Sequence, residues 1–118
     1  MIVGSVRIAH TRCEILSSVQ KTETAWERTK GLLGRQALRD SEGLLIAPCN
    51  SIHTFFMTFP LDVIYLDRED KVVKLIEKLM PWRVSGCFRS AKVLEVGSRF
   101  IITSGIKVGD QLLWERNE

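Results

Sequence analysis

Two apolar runs, residues 61–66 and 72–79, stand on either side of the charged stretch Asp67-Arg68-Glu69-Asp70-Lys71. Each run is too short for an ordinary helix and rich in β-branched residues, so the spacing predicts a β-hairpin with a slightly long loop. A hairpin makes its two strands antiparallel neighbours, and the same grammar of short β-prone pieces recurs along the chain. Residues 3–9 and 14–20 read as strands separated by the polar break His10-Thr11-Arg12. Residues 44–47 form a short apolar run closed by Pro48, residues 52–59 are aromatic-rich and β-prone, and residues 92–96 and 111–114 read as two further strands. Residues 35–43 and 84–90 read as turn and loop. Residues 98–104 suit either a strand or a helical turn.

One segment follows a different period. Thr24 and Glu27 have the spacing of a capping box, in which each side chain satisfies the other residue's free backbone N–H. Ala25, Trp26, Thr29, Leu32 and Leu33 then fall at helical spacing, with Gly34 placed to cap the C-terminus. A short amphipathic helix over 24–33 is therefore expected. The sum is an α+β fold: a mostly antiparallel, barrel-like sheet of seven to eight short strands with one main helix. No Pro/Gly/Ser-rich linker divides the chain, so residues 1–118 are expected to form a single domain.

Composition supports a folded core. At 118 residues the chain can bury roughly two-thirds of the surface its unfolded form exposes. The 45% hydrophobic and 26% charged content is ordinary for a globular protein, and no low-complexity tract argues for disorder. No apolar stretch approaches the roughly 20 residues that a membrane-spanning helix needs, and residues 1–13 lack the plan of a signal peptide. The expectation is a cytoplasmic protein with no membrane partner. Cys13, Cys49 and Cys87 are odd in number and widely spaced, which fits free thiols in a reducing compartment. A net charge of +3, spread along the chain, is mild where a dedicated nucleic-acid binder is usually more basic, so composition gives that role only weak support.

The most distinctive stretch is Pro48-Cys49-Asn50-Ser51-Ile52-His53-Thr54-Phe55-Phe56-Met57, followed by Pro60-Leu61-Asp62-Val63-Ile64-Tyr65-Leu66-Asp67. Together with Gly31-Leu32-Leu33-Gly34-Arg35, Val93-Leu94-Glu95 and Gly105-Ile106-Lys107-Val108-Gly109-Asp110, it closely resembles the domain of unknown function 192 family over about residues 20–115. That family, widespread in bacteria and archaea, has no established activity, and its members occur both in the cytoplasm and behind signal peptides. The resemblance implies a single compact β-rich domain. This chain has Leu33 where many members have Met, Phe56-Met57 where many have Trp-Met, and bulkier residues over 97–102 than the family pattern carries. The first two changes keep an apolar side chain and read as packing variation.

Several residues have side chains that can do chemistry. In an extended segment His53 would share a face with Phe55, Met57 and Phe59; such a histidine is commonly a packed, hydrogen-bonded residue, and the sharper reading makes it a base or ligand beside Cys49. Asp62 opens an apolar strand after Pro60. A carboxylate there needs donors, either backbone N–H groups where the chain turns or a functional pairing with His53 or Arg35. Glu95 lies among Val93, Leu94 and Val96 and raises the same question. Cys49, His53 and Cys87 offer two sulfurs and a nitrogen but lack the paired cysteines of a structural zinc site, so no metal or cofactor is expected. A reversible Cys49–Cys87 disulfide requires the fold to bring the two together. The turn Gly105-Ile106-Lys107-Val108-Gly109-Asp110 lacks the phosphate-cradling glycine patterns and reads as structural.

The leading expectation is a non-catalytic domain that binds a small molecule or a partner protein at a pocket near His53, Met57, Asp62 and Glu95, with Arg35 as a further candidate. One rival is an enzyme using Cys49 or His53 in hydrolysis or thiol chemistry. The other is a single-strand nucleic-acid module built on Trp82, Arg83, Phe88, Arg89 and Lys92, whose aromatics and bases interleave. The oligomeric state is not legible.

Overall fold

The computed structural model describes residues 1–32 and 37–117. Along the chain run β1 (Ile2–Ile8), β2 (Glu14–Lys21), α1 (Ala25–Lys30), β3 (Glu42–Ile46), β4 (Ser51–His53), β5 (Leu61–Leu66), β6 (Val72–Leu79), β7 (Val84–Gly86), β8 (Lys92–Gly97), α2 (Phe100–Ser104) and β9 (Leu112–Arg116). The expected hairpins are present as the antiparallel pairs β1–β2 and β5–β6. Asp67 organises the second turn: its Oδ1 accepts from the backbone N–H groups of Glu69 and Lys71.

Seven strands form one sheet in the order β6-β5-β8-β3-β2-β1-β9, while β4 and β7 pair separately. The sheet is mixed and open, which corrects the barrel-like expectation. Two physical causes stand out. First, β2 and β3 are parallel, because the connection between them is a long crossover carrying α1 and not a tight turn. Second, the edges β6 and β9 meet only at one corner. There Lys71 and Gln111 form a single bridge, supported by bonds from Val72 N–H to Asp110 O and from Leu112 N–H to Asp70 O. No ladder between β6 and β9 continues from it among the described residues.

The central strands β5, β8 and β3 are covered on both faces and therefore read as continuous apolar runs. Alternation still sorts their side chains. Ile64, Leu66, Leu94, Val96 and Leu45 join Val6, Leu16, Val19, Phe100 and Ile101 on one face. Leu61, Val63, Tyr65, Val93, Leu44 and Ile46 join Leu32 and Met57 on the other.

The helix forms where its cap predicts. Thr24 accepts from the Glu27 N–H, and Glu27 Oε1 accepts from the Thr24 N–H. It is shorter than expected, ending after Lys30 at Gly31, whose φ of 51° only glycine takes without strain. Trp26 is consequently exposed, and the chain reaches the core through Leu32, just past the cap. Gly34 and Leu33 lie outside the described residues.

Two further expectations change and one open question closes. The aromatic segment 52–59 is a strand only to His53 and then turns, with Phe56 at a φ of 66°. His53, Phe55, Met57 and Phe59 therefore do not share a face: Met57 is buried and His53 exposed. Residues 84–86, expected in a loop, pair with β4. The open question at 98–104 resolves to α2, capped by Gly105 at a φ of 72°.

Candidate functional site

Glu95 lies at mid-strand in β8, opposite Leu44 of β3 and Val63 of β5. Those neighbours are fully buried and apolar, and Glu95 itself is only 5% exposed. Among the described residues its carboxylate has no hydrogen-bond or ion-pair partner. Desolvation alone pushes its pKa up to about 7. A Cβ placed on Gly31 would lie 3.8 Å from Glu95 Oε1, so the C-terminal cap of α1 sits directly over the carboxylate.

The space around that carboxylate is a cleft of about 170 Å³. Arg28 and Lys30 of α1 line it together with Cys49, Ser51 and His53, and Leu32, Ile46, Ile52 and Met57 supply apolar wall. Four of the residues singled out from sequence thus converge: Cys49, His53, Met57 and Glu95. The signal for Arg28 and Lys30 was weak, since two basic residues in the last turn of a helix read as ordinary complements to its dipole.

Within the cleft the Cys49 thiol donates to the Ser51 carbonyl at 3.1 Å. Burial is the main cause that holds its pKa above the usual thiol value, and Glu95 adds to it while Arg28 opposes it. The thiol therefore stays protonated at neutral pH. His53 Nδ1 accepts from the Phe55 N–H at 3.3 Å, which leaves Nε2 to carry the proton of the neutral ring. Neither group activates the other in this arrangement.

Asp62 is placed elsewhere. On β5 it points to the opposite face of the sheet from Val63, and it is fully buried. Its Oδ1 accepts from the Lys78 N–H and its Oδ2 from the Ile101 N–H, both at 2.9 Å. It ties the end of β6 to the first turn of α2. Arg35 lies outside the described residues. Cys87 packs with Cys49 against the apolar cluster around Tyr65, and all three cysteines are free. Among the described residues no three His, Cys, Asp or Glu side chains group as metal ligands.

The interleaved aromatics and bases after Pro81 separate in the fold. Phe88 and Arg89 line an open groove of about 780 Å³ that also holds Asp67, Arg68 and Glu69, so both signs of charge are present. Lys92 is bound to Asp70 at 2.6 Å. Trp82 instead packs against Phe55 and Phe56 beside the cleft.

A family model described as "Uncharacterized ACR", the domain of unknown function 192, matches residues 6–114. The chain belongs to this family. Over 67 residues it is 42% identical to an uncharacterised-family (UPF0127) protein of Pyrococcus furiosus, covering 56% of this chain and 57% of that one. A UPF0127 protein of Pyrococcus abyssi is also 42% identical over 67 residues, covering 54% and 55%. The matched region thus spans a little over half the length of these relatives. In solved structures the same fold occurs in a Sinorhizobium meliloti protein described as a candidate transcription regulator, with a TM-score of 0.82, 18% identity and coverage of 96% of this chain and 92% of that one. It occurs again in a protein of unknown function from Novosphingobium aromaticivorans, with a TM-score of 0.77, 24% identity and coverage of 95% and 84%. Among the described residues of this family member, no helix is long and apolar enough to cross a membrane.

Proposed function

We propose that this chain is a single domain that binds a small polar molecule, without transforming it, in the cleft over Glu95. The observation that carries this reading is the carboxylate itself. Glu95 is only 5% exposed and lines the cleft, and among the described residues no protein partner offsets the desolvation of its carboxylate, which is costly to keep. Asp62 supplies the contrast, because its burial is matched by two backbone donors. A ligand that brings donors to Glu95 would offset the desolvation, and Arg28, Lys30 and His53 would meet its outer end. At about 170 Å³ the cleft is small, so it takes one small group or the end of a longer molecule.

A binding role is favoured over thiol chemistry because Cys49 is protonated and donates its hydrogen bond to Ser51, not to His53. The exposed free Cys13 and the unbridged Cys49 and Cys87 fit a reducing compartment, the cytoplasm.

The test is a backbone-amide NMR titration with a library of water-soluble fragments that includes amines, carboxylates, alcohols and sugars. Shifts are expected to cluster at Arg28, Gly31, His53 and Glu95 and to disappear in Glu95→Gln. If no fragment at millimolar concentration perturbs those residues, the cleft is not a binding site.

A further inference from the structure

Beside the cleft, Thr54 is buried between two loops and joins them. Its Oγ1 donates to Met80 O at 2.6 Å and accepts from the Arg83 N–H at 2.9 Å. Its own N–H bonds to Arg83 O, and its carbonyl accepts from the N–H groups of Met57 and Trp82. The two loops so held carry three rings at the surface, Phe55, Phe56 and Trp82. Phe56 is 72% exposed and Trp82 55%, and each sits at positive φ, 66° and 64°. Bulky side chains rarely adopt that conformation, and where surrounding bonds impose it a functional cause is the first hypothesis.

The rings form a surface. Phe55 and Trp82 stack with centroids 5.7 Å apart and planes 29° from parallel, Phe56 leans on Trp82 at 58°, and His53 continues the row 5.0 Å from Phe55. His53 also lines the cleft. The aromatic platform and the carboxylate cleft are therefore continuous.

We propose that this joined surface binds the end of a neutral oligosaccharide, the terminal ring presenting hydroxyls to Glu95 and a following ring laying its C–H face on Phe55 and Trp82. The assignment rests on the reading of the cleft as a ligand site and gives that ligand its chemical class. Charge narrows the choice: Arg28, Lys30 and Glu95 all line the cleft, so a ligand of either net charge meets a like charge there. A neutral molecule rich in hydroxyl donors avoids both conflicts, and one carboxylate can accept from two adjacent hydroxyls. The polarised C–H groups of a sugar ring face suit the electron-rich face of an aromatic ring. The cleft admits the hydroxylated edge of one ring, and further rings must lie outside it, where the platform begins.

The experiment is an amide-shift and calorimetric titration with neutral trisaccharides of glucose, mannose, galactose and N-acetylglucosamine in both α and β linkages. Eight-residue oligothymidylate, a simple amine and a simple carboxylate serve as controls. At least one trisaccharide is expected to shift both His53 and Trp82 and to bind more tightly than its monosaccharide. Trp82→Ala and Phe55→Ala, both surface changes whose folding is checked by thermal unfolding, should each weaken it about tenfold, in the range that one aromatic stacking contact is worth. If no neutral sugar shifts the cleft while an amine, a carboxylate or the oligonucleotide does, the sugar assignment fails and the binding cleft stands. If sugars bind but neither aromatic variant weakens them, the platform has no part and the proposal is overturned. If nothing perturbs Arg28, His53 or Trp82, the proposal and the cleft reading fall together.

Discussion

Replacing Glu95 with Gln tests the central physical claim, that this carboxylate is desolvated with no protein partner among the described residues to offset it. Burial raises its pKa from 4.5 to about 7. A raised acid pKa means that the folded state holds the proton more tightly than the unfolded chain does. The stability this contributes is fully present below pH 4.5 and is lost as pH climbs through about 7. The span between the two values, at about 1.36 kcal/mol per pH unit, makes that loss about 3 kcal/mol. Gln has nearly the same shape and never ionises, so the variant should be spared the loss. Relative to the parent it should gain about 3 kcal/mol between pH 4 and pH 8.5, equal to about 10 °C in Tm for a domain of this size. Urea denaturation of both proteins across that range measures it, and the readout is the change in their difference, which cancels any constant effect of the amide. Arg28, Lys30, Cys49 and His53 line the same cleft. Repeating the series in a His53→Gln background therefore checks that the imidazole does not produce the profile. If the difference moves by less than about 1 kcal/mol over the whole range, the carboxylate is solvated or paired and the reasoning is wrong.

Three other outcomes are expected. Asp62→Ala strands the buried Ile101 N–H and the part-buried Lys78 N–H and should cost about 2–3 kcal/mol in urea unfolding, while Asp62→Asn, which keeps one acceptor oxygen, should cost less; a cost under about 1 kcal/mol for Ala would show that Asp62 does not bridge β6 and α2. Thr54→Val keeps the volume but removes the bonds to Met80 and Arg83, and thermal unfolding should show a loss of about 1–3 kcal/mol. Equal stability would contradict the clamp. Cys49 should react with iodoacetamide at pH 7 at least about tenfold more slowly than exposed Cys13 when followed by mass spectrometry, because burial holds it as the thiol; equal rates would revive it as a nucleophile.

What could be read from the residues in order was local. The capping box at Thr24 and Glu27 and the hairpin of residues 61–79 rest on interactions between near neighbours in sequence, and both form. Period-two alternation likewise sorts β5 and β8 between the two apolar clusters. Free cysteines and an α+β class followed from composition and spacing. The sheet order did not, because the neighbours of β8 are β3 and β5, and such pairings depend on contacts between distant segments. The same cause divided the two carboxylates. Asp62 and Glu95 look alike in sequence, each an acid inside an apolar run. Asp62 became framework because the end of β6 and the start of α2 bring two N–H groups to it. Glu95 came to line a cleft because β3 and β5 flank it with Leu44 and Val63 while the cap residue Gly31 lies beside its carboxylate. An acid's own neighbours in the chain are covalently fixed, but its donors and its dielectric come from segments that only folding brings beside it.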